Sequence, residues 1–190
     1  MIRGLQLWNY YKMKWDFTMT QHIFLTGKKH IGKSTLIQKI LDDYKKTADG
    51  FLTVRTKDYL KNQYSVHMYH LKEKEFPNES NLLFLCGKTD EHTADTFDRL
   101  GCNILSMCSD CSLIVMDELG PHEADAALFR KKILNLLDGQ TPILGILQEP
   151  AESFWPEIVN HPKVEIITIS EDNRNDRALL NYIQCKISSP

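Results

Sequence analysis

The chain has 190 residues, of which 42% are hydrophobic and 25% are charged, and its formal net charge is −2. This composition is typical of a globular domain and lacks the basic excess of a dedicated nucleic-acid binder, so no nucleic-acid partner is expected. No apolar run is long enough for a membrane helix, and five cysteines without disulfide-framework spacing indicate reduced thiols in a cytoplasmic protein.

Residues 1–18 differ from the rest of the chain because aromatic side chains, such as Trp8 and Trp15, are mixed with basic ones. We interpret this segment as an accessory or non-native extension, since terminal segments are often loosely ordered. A start placed too early, with Met13 or Met19 as the first residue, would have the same appearance. The alternative is a basic aromatic surface that binds lipid or a protein partner.

Residues 19–190 are predicted to form a single α/β domain, because strand patterns alternate with amphipathic helix patterns. The predicted strands cover residues 22–26, 50–56, 64–71, 82–86, 113–116, 143–147 and 164–169. The predicted helices cover residues 32–44, 93–108, 125–137, 152–160 and 176–187. The second, third and fourth strands follow one another without a helix, which predicts an antiparallel hairpin at the edge of a mostly parallel sheet.

Residues 27–34 match the phosphate-binding pattern G-x-x-x-x-G-K-[ST] at every fixed position. Gly27 and Gly32 permit a turn that aims backbone N–H groups at one point, where the next helix adds a partial positive charge. Lys33 is expected to reach the β- and γ-phosphates, and Ser34 to place its hydroxyl on Mg²⁺. The predicted nucleotide-binding loop consists of Gly27, Lys28, Lys29, His30, Ile31, Gly32, Lys33, Ser34 and Thr35.

Two carboxylates end the apolar strand that begins at residue 113. Ligands bind beyond the carboxyl ends of parallel strands, so Asp117 is predicted to hold the magnesium, usually through water. Glu118 is predicted to orient and polarise a water molecule for attack on the γ-phosphorus. That role favours hydrolysis over transfer to a second substrate.

The segment Asp-Glu-Leu-Gly-Pro-His-Glu at residues 117–123 resembles the D-E-I-G-x-M-E signature of the small nucleoside-triphosphatase family. That family includes the thermophilic and the human cancer-related nucleoside-triphosphatases. Further similarity extends over residues 21–183 and includes Gly-Phe-Leu-Thr at 50–53 and Pro-Ile-Leu-Gly at 142–145. The resemblance implies a P-loop three-layer sandwich and Mg²⁺-dependent hydrolysis of ATP, GTP and other nucleoside triphosphates.

The resemblance also implies roles for individual residues. Glu123 matches the second glutamate of the signature, and Asn173 and Arg174 match a pair that could contact the base or a phosphate. An alternative for this pair is a loop stabilised by hydrogen bonds. Arg55 is a weaker candidate for neutralising transition-state charge, because a surface arginine on a strand is the more common case. His122 and Asn175 depart from the family pattern, and residues 56–93 match it poorly.

Two other patterns are not interpreted as metal sites. Cys108 and Cys111 have C-x-x-C spacing but no second pair of the kind that a zinc site needs. His67 and His70 lie three residues apart on a predicted strand and therefore point to opposite faces.

Two other functions are consistent with a phosphate loop in this sequence. A nucleotide or small-molecule kinase would use the same loop with an acceptor pocket and a lid, for which residues 71–81 are available. A slow nucleotide switch would bind a protein partner, with residues 1–18 as a docking element.

Overall fold

The structure is a computed structural model that describes residues 21–73, 76–87 and 92–188. The predicted extension at residues 1–18 lies outside the described residues. The strands are β1 (His22–Thr26), β2 (Ala48–Leu60), β3 (Gln63–His70), β4 (Leu82–Leu85), β5 (Leu113–Leu119), β6 (Ile143–Leu147) and β7 (Val164–Thr168). The helices are α1 (Lys33–Asp43), α2 (Thr93–Met107), α3 (Ala127–Asp138), α4 (Ala151–Phe154), α5 (Pro156–Val159) and α6 (Arg177–Ser188), with short 3₁₀ turns at Glu79–Asn81 and Cys108–Asp110.

The strands form one seven-stranded sheet in the order β4-β3-β2-β5-β6-β1-β7. The five strands from β2 to β7 in that order pair in parallel, whereas β3 pairs antiparallel with both β2 and β4. This arrangement confirms the predicted mostly parallel sheet with an antiparallel edge. The carboxyl ends of β1 and β5 consequently lie on the same edge of the sheet, although β6 separates the two strands.

Helices cover both faces of the sheet, which produces the predicted three-layer sandwich. Successive side chains of β1 point to opposite faces of the sheet, so Phe24 packs in one layer and Leu25 in the other. One layer contains α2 and α3, whose Phe97 and Phe129 rings stack with their centroids 5.8 Å apart. The other layer contains α1 and α6. In the part of the chain that the structure describes, no helix is long and apolar enough to cross a membrane.

The predicted helix at 152–160 is wrong as a single element, because α4 and α5 divide it. Trp155 adopts φ −130° and ψ 52° between them, and Pro156 begins α5. A proline has no N–H to donate to the preceding turn and disfavours helical geometry in the residue before it. The chain therefore restarts its helix at Pro156.

His22, the first residue of β1, is completely buried, and its imidazole has two backbone partners. Its Nε2 lies 2.9 Å from the carbonyl oxygen of Leu137, and its Nδ1 accepts a hydrogen bond of 3.1 Å from the amide of Ile143. The ring must be neutral, with its proton on Nε2, to satisfy both partners. Burial lowers the pKa of His22 to about 4, against the raising effect of the Leu137 bond, and His161 and Lys163 lower it further.

We predict that His22 makes the fold less stable in mild acid. The unfolded chain binds a proton at this ring near pH 6.5 whereas the folded chain does so only near pH 4, so stability falls as pH decreases through this interval. The loss from this group between pH 7 and pH 5 is about 2 kcal/mol. Urea unfolding of wild type and His22→Gln over this range should show a shallower pH dependence in the variant, which keeps a donor and an acceptor without titrating. His92→Gln, at an exposed histidine, is the control; equal slopes for wild type and His22→Gln would contradict the prediction.

Candidate active site

The phosphate loop connects β1 to α1 and is shaped by two glycines with positive φ. Gly27 has φ +131° and Gly32 has φ +111°, and both lie outside the range that other residues favour. A Cβ on Gly27 would lie 2.4 Å from the carbonyl oxygen of Ile169, whereas a Cβ on Gly32 would meet nothing within 4 Å. Gly32 also caps α1, whose first turn closes through the bond from the Leu36 amide to the Gly32 carbonyl. The N-terminus of α1 therefore faces the concave side of the loop.

Lys33 is buried against the loop that precedes it. Its ammonium donates to the carbonyl of Gly27 at 2.7 Å and to the carbonyl of Lys28 at 3.2 Å. These two contacts keep the charge at the centre of the loop and satisfy an ammonium that is only 7% exposed. This is the position that the sequence predicts for a group that binds phosphate.

Ser34 and Asp117, the two predicted metal-binding residues, lie side by side. The hydroxyl of Ser34 donates to Oδ1 of Asp117 at 3.3 Å, although 83 residues separate them. Burial raises the pKa of Asp117 to about 7, opposed by the Ser34 bond; Glu118 raises it and Lys33 lowers it. A hydroxyl and a carboxylate oxygen are donors that Mg²⁺ accepts, and a cation here would offset the cost of burying the carboxylate.

Glu118 follows Asp117 at the end of β5, and its backbone is tied to β2. Its amide donates to the hydroxyl of Thr53 at 3.2 Å, one residue beyond the paired positions Leu52 and Asp117. Glu118 lines two clefts, both of which Lys33 also lines. The structure thus places the predicted water-orienting carboxylate at the rim of the phosphate loop.

The second glutamate of the signature has a structural role in this geometry. Glu123 is 4% exposed, and its carboxylate accepts a hydrogen bond from the amide of Gly120. Burial raises the pKa of Glu123 to about 7 against the lowering effect of that bond. The carbonyl of Gly120 in turn accepts a hydrogen bond of 3.0 Å from the indole of Trp155. Both the N–H and the carbonyl of Gly120 therefore have hydrogen-bonding partners, which fixes the loop that follows Asp117 and Glu118.

Three clefts surround the phosphate loop. The first, called the main cleft below, measures about 350 Å³ and is lined by Lys29, His30, Gly32, Lys33, Ser34, Thr35, Arg55 and Glu118. A second, of about 310 Å³, adjoins the first through Lys29, Lys33 and Glu118. The third, of about 240 Å³, includes His30, Ile31, Thr35 and Arg174. All nine predicted loop residues line at least one of these clefts.

The side chains of Asn173 and Arg174, the predicted pair near the C-terminus, have different partners in the structure. The amide of Asn173 accepts from the backbone N–H of Ser170 at 2.8 Å and donates to the carbonyl of Thr168 at 2.9 Å, so its side chain closes its own loop. Arg174 instead points toward the phosphate loop, where its guanidinium is 3.5 Å from the carbonyl of Ile31. Of the pair, Arg174 lines the third cleft, and Asn173 lines none of the three clefts described above.

The sequence predicts no separate role for Thr53 and only a weaker candidate role for Arg55. Thr53 ends the Gly-Phe-Leu-Thr segment that resembles the family, but its contact with Glu118 depends on the register between β2 and β5. Arg55 is exposed and lines the cleft of about 350 Å³ with Lys33 and Glu118. Both residues lie within the strand predicted at residues 50–56, and the sequence does not show how far that strand extends past its neighbour.

The histidines and cysteines that were set aside have separate partners. His67 contacts Asn81 and Ser65 by hydrogen bonds of 2.8 and 2.9 Å, whereas Nε2 of His70 lies 2.7 Å from Asp49. The thiol of Cys111 donates to the carbonyl of Cys108 at 3.2 Å.

Comparisons with known proteins identify relatives along most of the chain. A family model described as NTPase matches residues 22–183. The nucleoside-triphosphatase THEP1 of Thermotoga maritima is 26% identical over 170 residues, which cover 85% of this chain and 92% of the relative. The human cancer-related nucleoside-triphosphatase is 28% identical over 191 residues, which cover 90% of this chain and 99% of the relative. The resemblance inferred from residues 117–123 and the phosphate loop is confirmed.

Solved structures agree with the architecture. The crystal structure of THEP1 from Aquifex aeolicus has a TM-score of 0.70 at 20% identity, and the match covers 88% of this chain and 99% of that chain. The solution structure of the human cancer-related nucleoside-triphosphatase has a TM-score of 0.61 at 26% identity, covering 90% and 100%. The first likeness shows the fold alone. Together they confirm the predicted P-loop three-layer sandwich.

We predict that Gly27→Ala destabilises the protein more than Gly32→Ala. Both substitutions impose a positive φ on alanine, which costs about 1–2 kcal/mol. Only Gly27→Ala adds a clash with a backbone oxygen, which cannot move without shifting the turn after β7. Urea unfolding followed by circular dichroism measures the difference. Equal losses in the two variants would show that the contact with Ile169 does not constrain the loop.

Proposed function

The chain belongs to the NTPase family and is a nucleoside-triphosphatase, and we propose that it hydrolyses ATP, GTP and other nucleoside triphosphates at the cleft between Lys33 and Glu118. The observation that carries this proposal is the contact of 3.3 Å between Ser34 and Asp117 at the rim of the phosphate loop. A metal-binding pair, a phosphate-binding lysine and a carboxylate for water share one edge of the sheet there. The same loop in a kinase, the alternative considered above, is not favoured by the family.

The nucleotide would bind with its phosphates along the loop. The nine residues from Gly27 to Thr35 would surround the phosphates with backbone N–H groups and the N-terminus of α1, and Lys33 would contact the β- and γ-phosphates. Arg174 would reach the nucleotide from the third cleft. Asn173 would support that loop through its own hydrogen bonds rather than contact the nucleotide.

Ser34 and Asp117 would hold Mg²⁺, the serine directly and the aspartate through water. When bound, the ion neutralises charge on the β- and γ-phosphate oxygens. Before that, the burial of Asp117 favours its protonated form, and the neighbouring Lys33 charge opposes this. A cation bound by the two residues would favour the ionised form of Asp117 and offset the cost of burying it.

Glu118 would accept a hydrogen bond from the attacking water and take its proton as the new bond forms. The water oxygen bonds to the γ-phosphorus, the bond from that phosphorus to the βγ-bridging oxygen breaks, and the electron pair leaves with the nucleoside diphosphate. Thr53 holds the backbone of Glu118 and would keep this residue at the rim of the phosphate loop. Positioning and charge stabilisation supply most of the catalysis in such reactions.

The location of the protein in the cell and the roles of its two segments are also proposals. We place the protein in the cytoplasm, because Cys86, Cys102, Cys108 and Cys111 are thiols without disulfide partners in the described residues. Residues 19–190 would form the single catalytic domain. Residues 1–18 would be an accessory extension that offers a protein partner a contact surface.

We predict that Mg²⁺-dependent phosphate release requires Lys33 and Glu118. Wild type should release phosphate from ATP, GTP, CTP and UTP, and Glu118→Gln should lose about 10²–10⁴-fold in kcat, the range for a general base. Lys33→Ala should lose kcat/KM by at least a comparable factor. Lys131→Ala and Glu152→Gln, at exposed positions on α3 and α4, are the matched controls.

Phosphate release measured with a coupled assay distinguishes the candidates. Nucleotide consumption that needs an added acceptor and yields no free phosphate would support a kinase. Full activity in Glu118→Gln would remove the water-orienting role from this residue.

We predict that Asp117→Asn and Ser34→Ala raise the Mg²⁺ concentration needed for half-maximal activity. A lost group around a metal typically lowers affinity by about 10–100-fold, and we expect a shift of this size. Titration of Mg²⁺ at saturating nucleotide measures it, with Asp110→Asn, at an exposed turn, as the control. An unchanged half-maximal concentration in Asp117→Asn would assign the metal to other ligands.

A further inference from the structure

The hairpin formed by β2 and β3 extends beyond the body of the sheet. Strand β2 pairs with β5 only from Ala48 to Leu52, but it continues to Leu60 with β3 as its partner. The unpaired side of this extension begins beside Asp117, at the edge where the phosphate loop lies. The hairpin therefore rises next to the nucleotide site as a wall of the main cleft.

Arg55 is the residue of this wall that lines the main cleft. It shares that cleft of about 350 Å³ with Lys33, Ser34 and Glu118. Its guanidinium carbon is 3.8 Å from the centroid of the Tyr64 ring, on β3. Among the described residues, no aspartate or glutamate lies within ion-pair distance of it. The Tyr64 ring thus restrains the guanidinium without neutralising its charge.

Lys57 provides a comparison within the same hairpin. Its ammonium is 4.6 Å from the centroid of the same Tyr64 ring, so two cations contact one aromatic side chain. Of these two described residues, only Arg55 is among those that line the cleft. Proximity to Tyr64 alone does not place a charge at the site.

We propose that Arg55 is a catalytic residue, an arginine finger supplied by the same chain, and that Tyr64 is its positioning residue. The proposal rests on the function proposed above. As the bond to the bridging oxygen breaks, negative charge grows on that oxygen and remains on the γ-phosphoryl oxygens. Lys33 faces the phosphates from inside the loop, whereas Arg55 faces them from the hairpin wall. A planar guanidinium can donate to two phosphate oxygens at once.

Arg55 also offsets electrostatic repulsion between the site and its anionic substrate. Glu118 and Asp117 are adjacent carboxylates at the point where an anionic γ-phosphate must arrive, and like charges repel it. A guanidinium on the neighbouring strand β2 offsets this repulsion. The Arg55 side chain is exposed in this structure, so its charge gains strength only as the bound triphosphate excludes water from the cleft.

The test compares Arg55→Ala and Arg55→Lys with Lys57→Ala as the matched control. We expect Arg55→Ala to lower kcat by about 10²-fold or more, because arginine fingers contribute roughly 10³–10⁵-fold, with KM changed less than threefold. Arg55→Lys should recover little of this, since an ammonium cannot donate to two oxygens in a fixed fork. Lys57→Ala should stay within twofold of wild type.

Binding of a transition-state mimic separates catalysis from folding and from ground-state binding. Wild type should bind Mg²⁺, ADP and aluminium fluoride tightly, whereas Arg55→Ala should lose this binding but bind Mg²⁺ and ADP as before. Added guanidinium ion at concentrations below those that unfold the protein should partly restore kcat in Arg55→Ala. Tyr64→Leu should lower kcat with an unchanged melting temperature, and Tyr64→Phe should restore it.

Three results would overturn the inference. The first is a kcat for Arg55→Ala within threefold of wild type, and the second is a rise in KM alone, which would make Arg55 a ground-state contact. The third is intact aluminium fluoride binding in that variant. If wild type releases phosphate in a manner that depends on Lys33 and Glu118, any of these removes Arg55 alone. If wild type releases none, the proposed function fails, and this inference fails with it.

Discussion

The parallel register of β5 against its neighbours determines where the chemistry of this protein can occur. Leu52 of β2 pairs with Asp117, and Met116 pairs with Gly145 of β6, which in turn pairs with Phe24 of β1. Every strand in this series runs toward the same edge of the sheet. Because side chains alternate along a strand, a shift of one residue would turn Asp117 away from Ser34. A contact of 3.3 Å across 83 residues therefore depends on backbone hydrogen bonds in three strands.

Burial at this edge makes the charges interdependent. Lys33, Asp117 and Glu123 are each less than 10% exposed, and each has a hydrogen-bonding partner that compensates for lost water. The pKa values of Asp117 and Glu123 both rise to about 7, chiefly through burial. Their environments differ, because Asp117 accepts a hydrogen bond from the Ser34 hydroxyl, whereas Glu123 accepts one from the Gly120 amide. The first carboxylate is arranged for an incoming cation and the second for holding a loop.

Local patterns in the sequence were sufficient for much of the fold and for the residues within contiguous motifs. The phosphate loop at 27–34 could be predicted because it is a contiguous motif with fixed spacing, and β5 could be predicted because residues 113–116 form a contiguous apolar run. The positions of Thr53 and Arg55 could not, because they depend on how far β2 extends past β5 and on the register between these strands. The orientation of Asn173 was equally inaccessible, since its choice between a ligand and its own loop depends on the turn after β7. The division of residues 152–160 into two helices could have been foreseen from Pro156.

The turn closed by Asn173 has a consequence for molecular discrimination. Reading the edge of a base takes a donor and an acceptor that point together at the ligand, and an asparagine amide is well suited to that task with adenine. Here the amide oxygen and nitrogen both point back at Ser170 and Thr168. The Asn173 side chain is therefore not available to distinguish one base from another in this conformation. Any preference for a particular base must come from other residues around the clefts.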